Sequence, residues 1–165
     1  TGRFKGTGKS FWSTTGQWTD VARFEDSIET GLAGSGLIIQ MRGNNASAFC
    51  ADDKYIYLRE TDNKIVGVMQ IRHDCNTFLA QYGGHIGYSV CPSERRKGYA
   101  TQMLRLALPK CKELGIDRVL ICCAQGNEGS RRVILHNGGK YESTVHDPER
   151  DQDLERYWID LSDNM

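Results

Sequence analysis

The sequence predicts an α/β protein of the α+β type, with a central mixed, mostly antiparallel sheet, flanking helices and one parallel βαβ splay. Two observations predict this fold class. Segments 55–59 and 64–72 are rich in β-forming residues and flank the turn sequence Glu60-Thr61-Asp62-Asn63, which is typical of a hairpin. Strand-like segments 83–91 and 118–123 enclose an apolar-periodic helix, which is the order of a parallel crossover.

Composition and charge favour one domain. With 165 residues, 39% of them hydrophobic, the chain is long enough for one complete core and short for two. Its 21 Lys and Arg balance its 21 Asp and Glu, so no overall field attracts a nucleic acid or an anionic membrane. No apolar run approaches the roughly 20 residues of a membrane span, and we see no leader pattern. We expect one domain over residues 1–165, a cytoplasmic location, and neither nucleic acid nor membrane as a partner.

The cysteines predict neither a disulfide framework nor a metal site. No C-x-x-C pair occurs, and Cys122 and Cys123 should point to opposite faces of one strand. His73 and Cys75 could share a metal, but two ligands without a second pair are a weak zinc site. We therefore expect no metal, and we interpret most of the cysteines as small core residues of a reducing compartment. The six are Cys50, Cys75, Cys91, Cys111, Cys122 and Cys123.

The first 50 residues give the weakest pattern. Residues 1–19 show no sustained period and are interpreted as a loop or a loosely packed arm. They contain Gly6-Thr7-Gly8-Lys9-Ser10, but a phosphate loop needs a glycine at position 3, where Arg3 stands, so a nucleotide site here is kept only as the rival hypothesis. Residues 20–32 are predicted to be a helix, and 37–41 is a candidate strand at an edge of the sheet.

The predicted helix at 20–32 depends on its apolar spacing. Asp20 would cap it, and Gly31 or Gly34 would lie near its end. The apolar residues spaced for one buried face are Val21, Phe24, Ile28 and Leu32.

The helix that begins near Gly98 is predicted with more support. Gly115 is placed to end it, and Pro109 inside it predicts a kink or an early stop. Its predicted buried residues are Ala100, Met103, Leu104, Ala107, Cys111 and Leu114.

The last third is predicted as a short helix followed by a hairpin. Asn127 is a good cap for a helix that reaches about His136, and Gly138-Gly139 should end that helix. Segments 140–146 and 154–161 are predicted strands joined across Asp147-Pro148.

The basic run Arg95-Arg96-Lys97-Gly98-Tyr99-Ala100 is the strongest candidate for a binding site. It follows a predicted strand and opens the long helix, so several backbone N–H groups there lack helical acceptors. Such a turn beside three cationic side chains predicts a socket for a polyphosphate.

This run and its surroundings resemble the GNAT superfamily of acyl-CoA-dependent N-acetyltransferases. The family signature R/Q-x-x-G-x-G/A is matched by Arg95, Gly98 and Ala100, and the segment GHIGYSVCP at 84–92 leads into it. An Asn-x-x-Ser pair follows downstream, as in the family.

The resemblance covers residues 55–161. It implies a single acetyltransferase-like domain with an acyl-CoA-binding core at 52–161 and a divergent or truncated part at 1–50. Because no convincing first strand precedes Asp20 and the sequence does not begin with Met, it is interpreted either as a fragment or as a family member that has diverged over residues 1–50, with 37–41 as the missing edge strand. An open sheet edge there would allow pairing with another chain, which makes a homodimer one assembly to consider.

The resemblance also implies the chemistry. An amine would attack acetyl-CoA directly in a ternary complex, without a covalent enzyme intermediate or a metal. The pyrophosphate would bind the amides of residues 96–100, and the pantetheine arm would lie between strand residues 88–90 and the strand at 118–123. A backbone N–H near Val90 would stabilise the oxyanion by about 3 kcal/mol. The implied binding residues are Tyr88, Ser89, Val90, Arg95, Arg96, Lys97, Gly98, Tyr99, Ala100, Thr101, Asn127 and Ser130.

The general acid and base depart from the family pattern. Many members carry a tyrosine that acts as the general acid, seven residues after the position matched here by Asn127. This chain has Ile134 at that place. Tyr141 is a candidate acid by residue type, as are Tyr88 and His136. His85 occupies the place of the family's glutamate base, and its ordinary pKa near 6.5 suits a base. Each of these side chains has a structural role as its alternative.

Two functions therefore stay open: an N-acetyltransferase acting on a small-molecule or peptide amine, and a non-catalytic acyl-CoA-binding or regulatory protein. Substrate choice is expected in the loops 73–82 and 147–153. The second loop is acidic, which would suit a cationic amine, although exposed charge of this kind is usually only solvated.

Overall fold

The structure is a computed structural model that describes residues 51–59, 61–62 and 64–162 in full and, before them, the backbone of five strands. These strands are β1 (Arg3–Gly6), β2 (Phe11–Trp12), β3 (Trp18–Thr19), β4 (Phe24–Ala33) and β5 (Gly36–Met41). The rival nucleotide motif lies, from residue 7 to residue 10, outside the described residues.

The elements from residue 52 onward follow the predicted order. They are β6 (Asp52–Arg59), β7 (Lys64–Arg72), β8 (Ile86–Val90), α1 (Tyr99–Glu113), β9 (Arg118–Ala124), α2 (Glu128–His136), β10 (Lys140–Asp147) and β11 (Gln152–Asp160). A π-helical turn at Leu79–Gly83 precedes β8, and a 3-10 turn at Pro92–Glu94 precedes α1. The mixed α+β fold class is confirmed.

The described strands form two main sheets and one short pair. The larger sheet has the order β1-β4-β5-β6-β7-β8, and all its neighbours are antiparallel. The smaller sheet has the order β10-β11-β9, and β2 pairs with β3. Since β5 lies between β4 and β6, the strand predicted at 37–41 is confirmed as a strand but is not an edge.

The N-terminal predictions are otherwise wrong. Residues 1–19 contain three short strands, and the helix predicted at 20–32 is replaced by strand β4. An apolar spacing of about four residues fits a helix, but β4 pairs with β1 on one edge and β5 on the other, so ladder hydrogen bonds outweigh the local period. A register shift between Glu29 and Gly31 marks a bulge, which changes the side-chain alternation that would have identified a strand.

Helix α1 packs on one face of the larger sheet. Met103, Leu104, Ala107 and Cys111 are fully buried, as predicted. The predicted burial is wrong for Ala100, which is only half-buried, and for Leu114, which is 39% exposed. Leu114 follows the last residue of the helix, so it does not share the buried face.

The two ends of the predicted α1 behave differently. The helix continues for four residues beyond Pro109, so the early stop is wrong. At its end, the N–H of Gly115 donates to the Lys112 carbonyl (3.0 Å) and that of Ile116 to the Cys111 carbonyl (2.9 Å). With φ of 79° at Gly115, this is a Schellman motif, which confirms the predicted glycine stop.

No helix in the described part of the chain is long and apolar enough to cross a membrane.

Strands β8 and β9 belong to different sheets and meet at one point. An isolated bridge of antiparallel type joins Gly84 to Ile121, and the His85 N–H donates to the Leu120 carbonyl (2.8 Å). Beyond this point the described strands share no ladder. The two strands are thus in separate sheets with one bridge between the segments beside them, and the predicted parallel splay stays a prediction.

Candidate functional site

The backbone of β8 presents polar groups to the space between the two sheets. Arg72 N–H donates to the His85 carbonyl (2.8 Å) and Cys91 N–H donates to the Val66 carbonyl (2.8 Å), which fixes the hydrogen-bonding register with β7. Because bonding alternates along an antiparallel strand, the N–H and C=O groups of Tyr88 and Val90 face away from β7.

The backbone of β9 does the same from the other side. Gln125 N–H donates to the Asp153 carbonyl and Leu161 N–H donates to the Asp117 carbonyl, both at 2.8 Å. By the same alternation, the backbone groups of Leu120, Cys122 and Ala124 face away from β11. We call the space between Tyr88 and Val90 on one side and Cys122 and Ala124 on the other the interstrand gap.

The interstrand gap is closed at one end by His85. The His85 N–H donates to the Leu120 carbonyl (2.8 Å), and the Leu120 N–H donates to the His85 imidazole Nδ1 (2.9 Å). Gly84 comes so close to β9 that an added Cβ would collide with the Leu120 carbonyl oxygen. With φ of 71°, Gly84 also has a backbone conformation that favours glycine. Glycine at this position therefore allows the close approach of the two backbones.

At its other end, β8 leads into the basic loop before α1. Arg96 and Gly98 both have left-handed backbone angles, with φ of 62° and 84°. Within the described residues no side chain caps α1, whose first helical bond runs from Gln102 N–H to the Gly98 carbonyl (3.2 Å). The N–H groups of the first three residues therefore lack helical acceptors, as the sequence predicted.

The charges of the loop are held by specific partners. Arg95 Nε donates to the Val90 carbonyl (3.2 Å), and Lys97 Nζ donates to Glu94 Oε2 (2.8 Å). Arg95, Arg96 and Lys97 are all exposed. These three cationic residues directly precede the N-terminus of α1, and the contact of Arg95 ties the loop to the interstrand gap.

Glu94 connects this loop to the β6–β7 hairpin. Its side chain is 6% exposed and accepts hydrogen bonds from Arg59 (2.7 Å), Lys64 (2.7 Å) and Lys97 (2.8 Å). The hydrogen bonds from Lys64, Lys97 and Arg59 lower the pKa of Glu94 to about 2. Arg59 also donates to the Tyr99 hydroxyl (3.1 Å) at the start of α1. The sequence analysis missed this cluster, because Glu94 is 35 and 30 residues from two of its partners.

Helix α2 lies beside the same loop. The Asn127 side chain accepts from the Ser130 N–H (3.1 Å), so the predicted cap is confirmed. At the other end of α2, Asn137 Nδ2 donates to the Thr101 carbonyl (3.2 Å) in the first turn of α1. The C-terminal end of α2 thus lies at the first turn of α1, while Ser130 near its N-terminal end contacts Tyr88 of β8 through its carbonyl.

Tyr88 is the candidate acid on β8, the strand whose backbone borders the interstrand gap. Its hydroxyl donates to the Ser130 carbonyl of α2 (3.4 Å). Burial raises the pKa of Tyr88 to about 12, so the phenol stays protonated at neutral pH. Ile134, one helical turn after Ser130, is fully buried in the core.

The other candidate acids lie elsewhere. Tyr141 is 58% exposed on β10, the outer strand of the smaller sheet, where its hydroxyl lies 2.8 Å from the Thr144 hydroxyl. Two strand spacings, about 10 Å, separate β10 from β9. His136 is exposed in the last turn of α2. The structure does not bring Tyr141 to the interstrand gap.

The thiols on β9 are poor nucleophiles. Burial raises the pKa values of Cys122 and Cys123 to about 11, so both stay protonated at neutral pH. Among the described residues, no group of three or more His, Cys, Asp or Glu side chains could hold a metal ion. His73 Nε2 lies 3.0 Å from Asp53 Oδ2.

Comparison with protein families gives one match. The acetyltransferase (GNAT) domain family matches residues 12–140, which is most of the chain. No curated protein has a sequence that matches this one.

Solved structures share the fold at low identity. A ribosomal-protein-S5-alanine acetyltransferase from Vibrio fischeri has 17% identity and a TM-score of 0.58, over 68% of this chain and 63% of its own. A dodecameric spermidine N-acetyltransferase from Vibrio cholerae has 16% identity and a TM-score of 0.55, over 70% of this chain and 68% of its own. A ribosomal L7/L12 α-N-protein acetyltransferase in complex with coenzyme A has 21% identity and a TM-score of 0.55, over 69% of this chain and 63% of its own. The chain thus spans less than two thirds of the length of the first and third structures.

Proposed function

We propose that this chain, which belongs to the GNAT acetyltransferase family, is an N-acetyltransferase. It would move an acetyl group from acetyl-CoA to a primary amine, and the amine would attack directly in a ternary complex. The observation that carries this proposal is the interstrand gap, which is lined by backbone groups and leads onto the basic loop before α1.

The donor would bind along this path. The pyrophosphate would accept hydrogen bonds from the N–H groups at the start of α1, next to the positive charges of Arg95, Arg96 and Lys97. The amide groups of the pantetheine arm would pair with the backbone of Tyr88 and Val90, much as an added strand does. Asn127 and Ser130 would flank this path from α2, which is supported by the hydrogen bond from the Tyr88 hydroxyl of β8 to the Ser130 carbonyl.

The chemistry would follow from the same groups. The amine nitrogen attacks the thioester carbon, a C–N bond forms, and the Val90 N–H stabilises the oxyanion. The C–S bond then breaks, and the Tyr88 hydroxyl turns its single proton from the Ser130 carbonyl to the departing thiolate, to which it donates a hydrogen bond. The nitrogen of the attacking amine, which is positively charged after attack, loses a proton to water, and water returns a proton to the CoA thiolate to give the thiol. The protonated state of Cys122 and Cys123 supports direct attack over an acetyl-cysteine intermediate.

The acceptor would be an amine of a small molecule or a peptide. The similar structures include enzymes named for spermidine and for a ribosomal protein alanine. The turn after β10 carries exposed acidic side chains, which favours a cationic acceptor.

A second function is supported by Ile134. An apolar, fully buried residue at the family's acid position is what a chain that kept the donor site and lost catalysis would show. This alternative is a non-catalytic acyl-CoA-binding or regulatory protein.

Binding and turnover measured together test the proposal. Calorimetric titration with CoA, acetyl-CoA and ATP tests the donor site, and thiol release with a panel of polyamines and N-terminal alanine peptides tests catalysis. We expect acetyl-CoA to bind and at least one amine to release the thiol. Binding without thiol release for every amine would support the non-catalytic alternative. Binding of ATP alone would contradict both functions and favour the rival nucleotide motif.

A further inference from the structure

We propose that His85 is a positioning residue, whose imidazole replaces a backbone carbonyl as the hydrogen-bond acceptor at the closed end of the interstrand gap. His85 thereby determines where β8 and β9 stop pairing. The kinetic part of its test rests on the proposed function, whereas the contacts and the amide-exchange test do not.

The carbonyl of His85 explains why pairing stops here. In a hydrogen-bonded pair of antiparallel strands, the N–H and the C=O of a residue both point to the same residue of the neighbouring strand. His85 donates its N–H to β9, at the Leu120 carbonyl, but its carbonyl accepts from Arg72 N–H on β7 (2.8 Å). The next acceptor of a β8–β9 ladder is therefore turned to the other side.

Because the His85 carbonyl points to β7, the N–H of Leu120 needs another acceptor. Leu120 is 1% exposed, and a buried N–H without a partner destabilises a fold. The His85 Nδ1 accepts this N–H at 2.9 Å. His85 thus makes two bonds with one residue of β9, and the backbone beyond it diverges without leaving Leu120 unpaired.

The surrounding contacts hold His85 in this position. The Arg72 guanidinium donates to the carbonyls of Gly83 (3.3 Å) and Gly84 (2.9 Å), which precede His85 in the chain. Gly84 has no room for a Cβ beside the Leu120 carbonyl oxygen. The chain that enters β8 is therefore fixed on both sides of the bridge.

The same geometry argues against His85 as a general base. An imidazole whose Nδ1 accepts a hydrogen bond carries its proton on Nε2 when neutral, so neither nitrogen has an available lone pair. Burial and then the charge of Arg72 lower the pKa of His85, while Asp74 acts in the opposite direction. The neutral form that Leu120 requires is therefore favoured at neutral pH.

The substitutions His85→Asn and His85→Ala separate the two roles. The Asn Oδ1 is bonded to Cγ, as the His Nδ1 is, so Asn can accept from Leu120 N–H but cannot act as a base. We expect His85→Ala to raise the dissociation constant for CoA about tenfold or more, because the end of the gap loses a buried hydrogen bond. We expect His85→Asn to restore most of the affinity and of kcat. His146→Asn, on an exposed side chain of β10, is the control for loss of an imidazole.

Hydrogen exchange of the Leu120 amide supplies a readout that does not depend on activity. Exchange should be slow in the wild type and in His85→Asn and clearly faster in His85→Ala. Fast exchange in the wild type, or equal exchange in all three proteins, would overturn the positioning role. A kcat for His85→Asn as low as that of His85→Ala, with unchanged KM for acetyl-CoA, would assign His85 as the base instead. If the protein binds CoA without turnover, the proposed function fails while the affinity and exchange results still decide this inference.

Discussion

Single residues at the interstrand gap differ sharply in the chemistry they allow. Tyr88 has a protonated hydroxyl that donates to the Ser130 carbonyl of α2, and Cys122 and Cys123 have protonated thiols that are poor nucleophiles. His85 uses its lone pair within the fold. At this scale the account assigns hydrogen-bond donation to Tyr88 and covalent chemistry to no residue.

Replacing Tyr88 with Phe tests that donation. The substitution removes only the hydroxyl, so we expect kcat to fall by about tenfold to a hundredfold, at or below the lower end of the range for proton-transfer groups. The KM for acetyl-CoA should change little, because the backbone of residue 88 binds the donor. Tyr141→Phe on β10 is the matched control and should keep the wild-type rate. A full rate in Tyr88→Phe combined with a loss in Tyr141→Phe would move the donor role to Tyr141.

Incubation with acetyl-CoA in the absence of an amine tests the cysteines. Because burial keeps both β9 thiols protonated, we expect no acetyl adduct after many turnover times. The intact mass, measured under denaturing conditions, should stay that of the free protein. A stable gain of one acetyl group that Cys122→Ser abolishes would show a covalent intermediate.

At the scale of elements, the loop between β8 and α1 depends on contacts that are distant in sequence. Glu94 binds Arg59 and Lys64, which flank the turn of the β6–β7 hairpin, and Lys97 in the loop. The loop is therefore anchored to the larger sheet before any ligand binds, which reduces the ordering cost of donor binding.

The substitution Glu94→Gln tests this anchor through its pH dependence. The pKa of Glu94 is lowered from 4.5 to about 2 in the folded protein, so its contribution to stability is present above about pH 4.5 and is lost as the pH falls toward 2. We expect Glu94→Gln to melt several degrees below the wild type at pH 7, and the difference to shrink toward pH 2. Thermal unfolding followed by circular dichroism at a series of pH values measures it. A difference independent of pH would contradict the assigned role of the carboxylate.

Gly98 allows a matched comparison within one helix. Gly98 and Gly115 have φ of 84° and 79°, and an added Cβ at either would meet no atom within 4 Å. Valine at either position should therefore strain the backbone similarly, by roughly 1–2 kcal/mol. We expect only Gly98→Val to lose CoA affinity, by at least tenfold, because a side chain there would occupy the space of the pyrophosphate. Equal affinity in the two variants, measured by calorimetry, would contradict a donor site at this loop.

Sequence predicted the elements best where the apolar pattern was long and ended by clear signals. The hairpin strands, α1 with Gly115 and α2 with Asn127 are all confirmed, because each pattern is local. Strand β4 was predicted as a helix, because its apolar spacing fits both structures and only pairing with β1 and β5 decides between them. The bonds of Glu94 to Arg59 and Lys64 and the bond of His85 to Leu120 join residues 30 or more positions apart, so no local spacing indicates them.

For the whole molecule, the relation of the two sheets is the feature that matters. Each sheet has its own ladder, and the described strands β8 and β9 meet only beside Gly84 and His85. The sequence predicted a splay at this place from the family resemblance. The homodimer that it also allowed stays a prediction, and its original reason is weakened because β5 is an inner strand.

A crystal structure of the protein with acetyl-CoA bound tests the central claim most directly. The account predicts the pyrophosphate within hydrogen-bonding distance of the N–H groups at the start of α1. It also predicts the pantetheine arm between β8 and β9, with the thioester carbonyl at the Val90 N–H. Acetyl-CoA bound elsewhere, or an interstrand gap closed by a continuous ladder between β8 and β9, would contradict it.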